Sequence, residues 1–486
     1  MMALDLGAES GRAMLGRFDG TRLVLEELHR FRNIPVRLDT HLHWDFPRLF
    51  DEGLTGMLKA APDVDSLGVD AWGVDFGLLD AHGELLGNPV HYRDRRTEGM
   101  IEAAFQRVPR DELYRRTGIQ FLPINTVFQL LSMVLDGDPR LEVADSLLLI
   151  PDLFHHYLSG RTACEFTNAT TTQCYDPNRQ SWATDLLARL GVPSGIFKEV
   201  VPPGTVLGPL TPEMAKETGL PRARVVATAT HDTGSAVAAV PFADGVQAAY
   251  ISSGTWSLVG LEVGRPVISD ATLKANITNE GGVAGTYRLL KNVMGLWLVQ
   301  ECRRRWSQEG EAWTYEELIT LAEKASPFTA FIDPDDERFL RPGDIPAQVR
   351  IACRETGQPE PTDPGQLIRV ILESLALKYR VVLRQLEAAT GARVDVIHTV
   401  GGGAQNQLLC QMTADATGRA LLAGPVEATA IGNLMIQAIA LGELGSLRDA
   451  RAVIRNSFPV EEHEPGSDWA EPAARFDALL ADRVHA

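Results

Sequence analysis

The sequence has few cysteines, and they are not arranged to bind a metal or to form a disulfide framework. Its five cysteines are scattered over 486 residues, and none forms a Cys-x-x-Cys pair. Structural zinc sites and disulfide-rich secreted domains both need cysteines at close, regular spacing. This scarcity argues against both kinds of protein and favours a reducing, cytoplasmic environment.

Long apolar runs and an excess of basic residues are also missing. No apolar stretch reaches the roughly 20 residues that span a bilayer, and no basic region followed by an apolar run opens the chain. Lys and Arg number 46 against 64 Asp and Glu, a formal net charge of −18. A nucleic-acid surface needs basic residues to neutralise phosphates. We therefore expect neither a membrane segment nor a nucleic-acid partner.

The length and an internal repetition predict two domains. A single hydrophobic core stops growing beyond about 250–300 residues, and this chain has 486. Residues 3–16 and 249–260 both have the pattern of a strand, a turn of small residues and a returning strand. Elsewhere strands alternate with helices, which is typical of α/β layers. We predict an α/β fold with a duplicated architecture and a boundary near residues 241–244.

The local patterns also predict individual elements. The predicted strands are 22–29, 66–70, 74–79, 225–230 and 394–400; the predicted helices are 95–106, 124–135, 152–158, 183–190, 295–306 and 366–389; and the Pro/Gly-rich stretches 201–209 and 341–346 are predicted to be loops.

The segment around Asp232 is the most informative one. An apolar strand, Val225–Thr230, leads into a sharp polar turn, and a helix of small residues begins directly behind it. Backbone N–H groups at a helix N-terminus attract anions and can hold a substrate oxygen. Asp232 is therefore a candidate base for a hydroxyl group. An ordinary N-cap aspartate explains the same pattern equally well.

Two glycine-rich turns are candidates for phosphate or nucleotide binding. The first hairpin turn is short enough for its amides to approach a phosphate, and Asp5, just before it, could hold a hydrated Mg²⁺. Residues 401–403 are three glycines between a strand and a helix, where open α/β sheets bind ligands. A turn aspartate that caps its own backbone and a tight strand-to-helix connection are the alternatives. No GxxxxGK[ST] motif is present.

Two further tracts combine charged and aromatic residues. Asp70–Phe76 contains two carboxylates and two aromatic rings around a glycine, which suits a polyol, although a core position for the aromatic residues is also plausible. Tyr92–Arg96 could bind an anion or form a solvated face. The 11 histidines are dispersed, so we predict no metal site made by protein ligands alone.

Taken together, these segments resemble the FGGY carbohydrate kinases, which have the actin-like ATPase fold. The resemblance extends from Ala3 to about Phe458. Its segments are Asp5–Arg12, Asp70–Asp80, Tyr92–Thr97, Thr117–Thr126, Thr167–Gln173, Ala229–Val237, Ser252–Leu258, Asn276–Gly282, Leu290–Gln300 and Val400–Asn406.

The resemblance implies two actin-like (ribonuclease H-like) domains with a ligand cleft between them. Residues 1–242 would form the sugar-binding domain and residues 243–486 the nucleotide-binding domain. The implied reaction is phosphoryl transfer from ATP, with Mg²⁺ as cofactor, to the 1-hydroxyl of L-rhamnulose. We expect a cytoplasmic monomer or homodimer.

The resemblance also implies roles for individual residues. Asp232 would accept the proton; Gly73, His231 and Thr233 would help to hold the sugar; and Asp5 would lie near the metal. The implied nucleotide-binding residues are Ala8, Glu9, Ser10, Gly11 and Arg12 in the first hairpin, together with Thr255, Asn292, Gln300 and Gly402.

Two alternatives remain at this stage. Another FGGY kinase, acting on fuculose, xylulose or a polyol, would share the nucleotide motifs, and only segments 72–76 and 121–125 favour a 6-deoxyketose. A sugar sensor or an actin-like assembly protein without catalysis is the second alternative. The presence of both hairpins, Asp5 and Asp232 argues against it, because a sensor needs no base beside a phosphate site.

Overall fold

The computed structural model describes every residue except 61, 63, 485 and 486. The chain forms two compact units, each assembled from three segments. The first unit contains Met1–Pro241, Glu262–Leu289 and Glu427–Phe458; the second contains Phe242–Leu261, Leu290–Val426 and Pro459–Ala486. Both units combine β-strands with α-helices, so the predicted α/β class is confirmed.

The strands are β1 (Met2–Leu6), β2 (Ser10–Phe18), β3 (Leu23–Arg32), β4 (Val36–Leu38), β5 (His41–His43), β6 (Ser66–Ala71), β7 (Phe76–Leu79), β8 (Ser146–Leu149), β9 (Cys164–Glu165), β10 (Tyr175–Asp176), β11 (Ser181–Trp182), β12 (Val200–Val201), β13 (Thr205–Pro209), β14 (Arg224–Ala227), β15 (Ala248–Ser253), β16 (Trp256–Val263), β17 (Thr278–Gly281), β18 (Tyr287–Met294), β19 (Val396–Val400), β20 (Ala420–Ala423) and β21 (Glu461–His463).

The helices are α1 (Phe46–Leu58), α2 (Met100–Phe105), α3 (Arg110–Thr117), α4 (Thr126–Asp136), α5 (Arg140–Val143), α6 (Ile150–Ser159), α7 (Phe166–Ala169), α8 (Thr184–Leu190), α9 (Pro212–Thr218), α10 (Asp232–Ala238), α11 (Asp270–Ala275), α12 (Trp297–Gln308), α13 (Tyr315–Lys324), α14 (Ile345–Glu355), α15 (Pro364–Thr390), α16 (Gln407–Thr417), α17 (Ala428–Ala440), α18 (Leu447–Ser457) and α19 (Ala470–Val484). Short 3₁₀ turns cover Arg95–Thr97, Thr170–Thr172, Ser194–Ile196, Glu337–Phe339 and Gly402–Gln405.

The central sheet of the first unit has the strand order β13-β14-β6-β1-β2-β3. Strands β14, β6 and β1 are parallel neighbours, and every residue of β1 and β6 is buried. This burial is expected, because parallel strands are covered on both faces. The carboxyl ends of the three parallel strands meet at one edge of the sheet, where α/β folds bind ligands.

Helix α17, from a late part of the sequence, packs closely on this sheet and on α10. A Cβ atom at Gly68 would lie 2.5 Å from Asn433 Oδ1, and one at Gly432 would lie 1.8 Å from the carbonyl oxygen of Ser235. Both positions therefore require glycine. Asp232 is the first residue of α10, so this contact helps to fix the helix that carries it.

In the second unit, β15 pairs antiparallel with β16 and parallel with β19, and β19 pairs parallel with β20. Strand β21 adds antiparallel to β20. The turn between β15 and β16 is the second predicted hairpin, and β19 ends at the glycine triplet. In the described part of the chain, no helix is both long and apolar enough to cross a membrane.

Five local predictions were wrong, at least in part. The strand predicted over 225–230 ends at Ala227, and the loop predicted over 341–346 gives way to α14 at Ile345. The helix predicted over 95–106 is a 3₁₀ turn and then α2, because Gly99 has a φ of 71° that interrupts a right-handed helix. The 201–209 stretch is not only a loop, since β13 is an edge strand, where proline is tolerated. The strand predicted from Val74 begins only at Phe76, because Val74 has a φ of 70°.

Candidate active site

Acidic side chains collect where the parallel strands of the first unit end. Asp5 and Asp70 are register partners on β1 and β6, and both are buried. Asn433 Nδ2 donates to Asp70 Oδ2 at 2.5 Å, while Asp70 Oδ1 has no hydrogen-bond partner within the described residues. Burial raises the pKa of Asp70 well above its usual value, and the negative charges of Asp5 and Asp232 raise it further.

His231 and Asp232 follow β14 at the same edge. Residue 231 pairs with Ala71 at the end of β6, and the amide of Ala71 donates to the carbonyl of Thr230 at 2.9 Å. His231 occupies the N-cap of α10, and Asp232 is the first helical residue. The interpretation of Asp232 as an ordinary N-cap is therefore wrong.

The two carboxylate oxygens of Asp232 have different surroundings. Oδ1 accepts hydrogen bonds from Thr233 N at 2.6 Å and Thr233 Oγ1 at 3.2 Å, and His231 Nε2 lies 3.3 Å from it. Among the described residues, no group donates a hydrogen bond to Oδ2. The protein therefore fixes the carboxylate through Oδ1 and leaves Oδ2 available.

The environment of Asp232 also makes it a better base. Burial raises its pKa, the neighbouring His231 opposes this increase, and the charge of Asp5 adds to it. Its side chain nevertheless keeps 31% of its surface exposed, so a ligand can reach it. A carboxylate with a raised pKa holds a proton more readily near neutral pH, which is what general-base catalysis needs.

Behind the strand end, a buried arginine contacts His231. Arg288 Nη2 lies 3.0 Å from His231 Nδ1, and Arg288 Nη1 forms an ion pair with Glu280 at 3.2 Å. Its remaining donors reach the carbonyls of Gly281 (2.7 Å) and Thr167 (3.3 Å). The Arg288 side chain is completely buried, so these contacts hold it in one position.

A buried glutamate supports the same segment from below. Glu165 Oε2 accepts hydrogen bonds from Thr230 N at 3.0 Å, Thr230 Oγ1 at 2.9 Å and Thr167 Oγ1 at 2.6 Å. The amide of His231 in turn donates to Thr167 Oγ1 at 3.2 Å. The sequence analysis missed Glu165, Glu280 and Arg288. Glu165 lies next to the matched segment Thr167–Gln173. Glu280 lies within the matched segment Asn276–Gly282, and Arg288 lies between that segment and Leu290–Gln300.

The loop at Gly73 contains a strained residue. Val74 is β-branched and has a φ of 70°, in the left-handed region that such residues rarely adopt. Thr126 Oγ1 and Gln129 Nε2 donate to its carbonyl at 2.6 and 3.3 Å, and its amide donates to Thr171 Oγ1 at 3.3 Å. Strain held in place by several contacts is common at ligand-binding sites, so the placement of Gly73 beside it supports a binding role.

Asp75 has an internal role. Its carboxylate accepts hydrogen bonds from Trp44 Nε1 (2.6 Å), Trp72 Nε1 (3.0 Å), Gln129 Nε2 (3.0 Å) and the amide of Tyr92 (3.1 Å). Burial raises its pKa to about 6. This side chain orients two indoles in the core, which supports the core interpretation of the segment. In the Tyr92–Arg96 tract, Tyr92, Arg93 and Asp94 are buried, so it is not a solvated face.

The first hairpin turn lies beside Asp5. The amide of Gly7 donates to the carbonyl of Ser10 at 2.9 Å and closes the turn that carries Ala8 and Glu9. Arg12 Nη2 forms an ion pair with Asp5 at 2.6 Å, and its Nη1 is hydrogen-bonded to Glu427. A Cβ atom at Gly11 would lie 2.1 Å from the ring of Phe31, so packing alone already requires this glycine.

In the second unit, the second hairpin turn contacts the start of α12. The carbonyls of Gly254 and Thr255 accept hydrogen bonds of 3.0 to 3.2 Å from the amides of residues 295–297. A Cβ atom at Gly295 would lie 2.6 Å from the backbone of this turn. Gln300 follows within α12, and its Oε1 has no hydrogen-bond partner among the residues described. Asn292 is half-buried on β18, just before this junction.

The glycine triplet after β19 packs on the strand of the second hairpin. Gly401 has a φ of 84°, and a Cβ there would lie 2.9 Å from the carbonyl oxygen of Ser253. A Cβ at Gly403 would lie 2.0 Å from Ser253 Oγ. At Gly402, by contrast, a Cβ would meet no atom within 4 Å. The outer glycines are needed for packing, whereas a side chain at Gly402 would face open space.

The predicted site residues thus form two groups, one in each unit. The first unit contains Asp5, residues 8–12, Gly73 and residues 231–233; the second contains Thr255, Asn292, Gln300 and Gly402. Within the described part of the chain, no group of three or more His, Cys, Asp or Glu side chains could hold a metal ion.

Comparison with known proteins identifies the family. Residues 1–239 match the N-terminal domain of the FGGY family of carbohydrate kinases, and residues 249–441 match its C-terminal domain. The chain is 45% identical over 475 residues to a rhamnulokinase of Bacteroides thetaiotaomicron, covering 97% of each protein. It is 43% identical to a rhamnulokinase of Pectobacterium atrosepticum, covering 99% of this chain and 96% of that protein.

Solved structures agree on the fold. A ligand-bound xylulose kinase from Lactobacillus acidophilus superposes with a TM-score of 0.79 at 15% identity, over 100% of this chain and 96% of that one. A glycerol kinase from Plasmodium falciparum with ADP gives a TM-score of 0.77 at 14% identity, over 100% of this chain and 97% of that one. The two-unit α/β architecture is therefore the actin-like fold of sugar kinases. The chain belongs to the FGGY family of carbohydrate kinases.

Proposed function

We propose that this kinase is a rhamnulokinase of rhamnose catabolism, which transfers the γ-phosphoryl group of ATP to the 1-hydroxyl of L-rhamnulose. The observation that carries the proposal is the similarity to rhamnulokinases along nearly the whole chain, including 41% identity over 94% of it to one from Oceanobacillus iheyensis. The xylulose and glycerol kinases named above share the fold at 15% and 14% identity, which supports no choice of substrate.

Asp232 is the general base in this proposal. Its Oδ2 accepts the proton of the 1-hydroxyl while Oδ1 accepts hydrogen bonds from Thr233 and lies 3.3 Å from His231 Nε2. As the sugar oxygen forms its bond to the γ-phosphorus, the bond from that phosphorus to the bridging oxygen breaks, and ADP leaves. Phosphoryl transfer of this kind depends mainly on positioning and charge neutralisation, with little covalent chemistry for the protein to perform.

The sugar is held by Gly73, His231 and Thr233, which lie around this carboxylate and in the neighbouring loop. The Thr171 side chain fills the space where Gly73 lacks a side chain, so the sugar is held through the Gly73 backbone, and the strained Val74 fixes the direction of that backbone. The Nε2 of His231 and the hydroxyl of Thr233 are hydrogen-bonding groups on the same side as Asp232.

Mg²⁺ and ATP bind next to these groups. Magnesium is usually held through one or two carboxylates, water and substrate phosphates. Asp5, with the unpaired Oδ1 of Asp70 beside it, fits that pattern, and Asp5 would hold the ion. When bound, Mg²⁺ neutralises charge on the transferring phosphoryl group.

The proposal also gives a role to each predicted nucleotide-binding residue. Ala8, Glu9, Ser10, Gly11 and Arg12 bind phosphate groups. Thr255, Asn292, Gln300 and Gly402 bind the rest of the nucleotide, with the open space at Gly402 suited to a flat ring. We assign sugar binding to residues 1–242 and nucleotide binding to residues 243–486, and we propose a cytoplasmic enzyme that is a monomer or a homodimer.

A coupled assay of ADP release across a panel of ketoses tests the substrate. We expect kcat/KM to be highest for L-rhamnulose and at least tenfold lower for L-fuculose and L-xylulose. A factor of ten is about 1.4 kcal/mol of transition-state binding, within the range of one pocket contact. A tenfold preference for either competitor contradicts the assignment, and a lack of turnover with every ketose favours a sensor.

A further inference from the structure

The contact between Arg288 and His231 determines which ring nitrogen of the histidine carries the proton. A guanidinium group only donates hydrogen bonds and stays charged in proteins. Arg288 Nη2 lies 3.0 Å from His231 Nδ1. Nδ1 must therefore be the acceptor, and in the neutral ring the proton is on Nε2.

This tautomer is the one that Asp232 needs. Nε2 lies 3.3 Å from Asp232 Oδ1, so a proton on Nε2 places positive charge beside the oxygen that Thr233 already holds. The opposite tautomer would present a lone pair to a carboxylate oxygen, and the two would repel each other. The carboxylate would then lose one of the contacts that keep Oδ2 free.

Glu280 competes with this arrangement. Its Oε2 lies 3.3 Å from His231 Nδ1 and 3.2 Å from Arg288 Nη1. Without the arginine, a buried carboxylate this close would attract a proton to Nδ1, because a buried charge requires a partner. The ion pair with Arg288 balances the charge of Glu280 and leaves Nδ1 as an acceptor.

We infer that Arg288 is a positioning residue, which keeps His231 in its Nε2–H form and thereby holds Asp232 with Oδ1 bound and Oδ2 open to the substrate hydroxyl. The inference rests on the proposed role of Asp232 as the base. Arg288 itself is buried behind His231 and is bonded to the Thr167 and Gly281 carbonyls, so its effect on the reaction passes through the histidine.

The first test is the tautomer itself. Long-range ¹H–¹⁵N correlation spectra of the full chain with ¹⁵N-labelled histidine distinguish the two neutral forms and the doubly protonated ring, and a His231→Gln sample assigns the signals. We expect wild-type His231 to be the Nε2–H form. An Nδ1–H or doubly protonated His231 in the wild type overturns the inference.

Two variants separate positioning from simple support of the fold, and neither leaves a buried charge without a partner. Arg288→Lys keeps a group that only donates, so we expect the Nε2–H form and a kcat within about threefold of wild type. Arg288→Met/Glu280→Met removes both groups that face Nδ1. We expect a mixture of tautomers and a kcat at least tenfold lower, since small misplacements of catalytic groups cost up to about 10²-fold, with the KM for ATP within about twofold.

Arg115→Met is the matched control, because this arginine is half-exposed and pairs with Asp270 at the surface. Its kcat should equal that of the wild type. The inference is overturned if the double variant keeps the Nε2–H form, or if it loses that form while kcat is unchanged. It is also overturned if Arg288→Lys keeps the tautomer and the melting temperature but loses activity. The spectra need no substrate, and the rates are measured with whichever ketose the wild type prefers. A failure of the L-rhamnulose assignment can therefore be distinguished from a failure of the inference about Arg288.

Discussion

Asp5 and Asp70 are direct neighbours on the parallel strands β1 and β6, so two carboxylates lie side by side where those strands end. Burial and the negative charge of Asp5 raise the pKa of Asp70, and the charge of Asp232 adds to this increase, so Asp5 and Asp232 are the main negative groups here. Such a site repels bare phosphate groups and attracts a cation. We therefore expect ATP to bind here as its magnesium complex, with Arg12 as the protein's own positive charge beside Asp5.

Replacing Asp232 with Asn tests the base directly. Asn keeps the size of the side chain and can still accept the Thr233 hydrogen bond, but it loses the charge and the basicity. Removal of a general base typically lowers rates by about 10²–10⁴. We expect a loss of that size in kcat, a nearly unchanged melting temperature and an unchanged Kd for ATP, all measured on one preparation.

The control for this variant is Asp363→Asn. Asp363 is a true N-cap, whose carboxylate accepts from the amide of Gln366 at 3.0 Å at the start of α15. Asn is an equally good cap, so kcat and stability should both stay at wild-type values. If Asp232→Asn retains more than about a tenth of kcat, Asp232 is not the base.

The parts of the site that the sequence predicted are those encoded by neighbouring residues. The strand, turn and helix around Asp232 are a local pattern, and so is the glycine triplet at 401–403. Two glycines of the triplet are also required by packing, because a Cβ at Gly401 or Gly403 would collide with Ser253.

The parts that were missed depend on distant residues or act against local preference. Arg288 reaches His231 across 57 positions of sequence, and no periodicity records such a pairing. Val74 has a left-handed backbone that its β-branched side chain disfavours, and hydrogen bonds with Thr126, Gln129 and Thr171, from other elements, hold it there. A single sequence contains no local signal for either feature.

The hydroxyl of Thr171 should matter for sugar binding. It accepts a hydrogen bond from the Val74 amide. It also lies close to Gly73, since a Cβ atom at that position would be 3.1 Å from this oxygen. Thr171→Val keeps the shape but leaves that amide without its partner, at a cost of about 1–3 kcal/mol. We expect the KM for the ketose to rise several-fold while the KM for ATP is unchanged. The control is Thr205→Val on the edge strand β13, which removes a hydroxyl that donates to the carbonyl of Pro202 and should change neither KM value. Equal changes in both KM values for Thr171→Val would contradict the assignment.

Asp75 makes stability depend on pH in a defined direction. Burial raises its pKa in the folded protein from 3.8 to about 6, so between these values the folded state binds more protons than the unfolded state. The contribution of Asp75 is therefore greatest below pH 4, falls as the pH rises to about 6 and is constant above it. The whole change is on the order of 3 kcal/mol.

Urea unfolding at several pH values between 4 and 7 measures this dependence. Asp75→Asn can still accept the Trp44 and Trp72 hydrogen bonds but does not titrate, so the free energy of unfolding should fall less steeply with pH than in the wild type. Parallel curves for the two proteins would show that Asp75 is ionised in the folded state throughout this range.

Gly402 and Gly403 allow nucleotide binding to be separated from packing with the same substitution at adjacent positions. A Cβ at Gly402 meets no atom within 4 Å, whereas one at Gly403 would lie 2.0 Å from Ser253 Oγ. Gly402→Ala should therefore fold with a melting temperature close to wild type, and its added methyl group should weaken ATP binding several-fold by keeping a flat ring off the backbone. Gly403→Ala should instead lower the melting temperature, because overpacking typically costs about 1–3 kcal/mol. Calorimetric titration with ATP and thermal unfolding of both variants provide the comparison. An unchanged ATP Kd in Gly402→Ala would remove Gly402 from the nucleotide site, and the open space there would then be only part of a strand-to-helix connection.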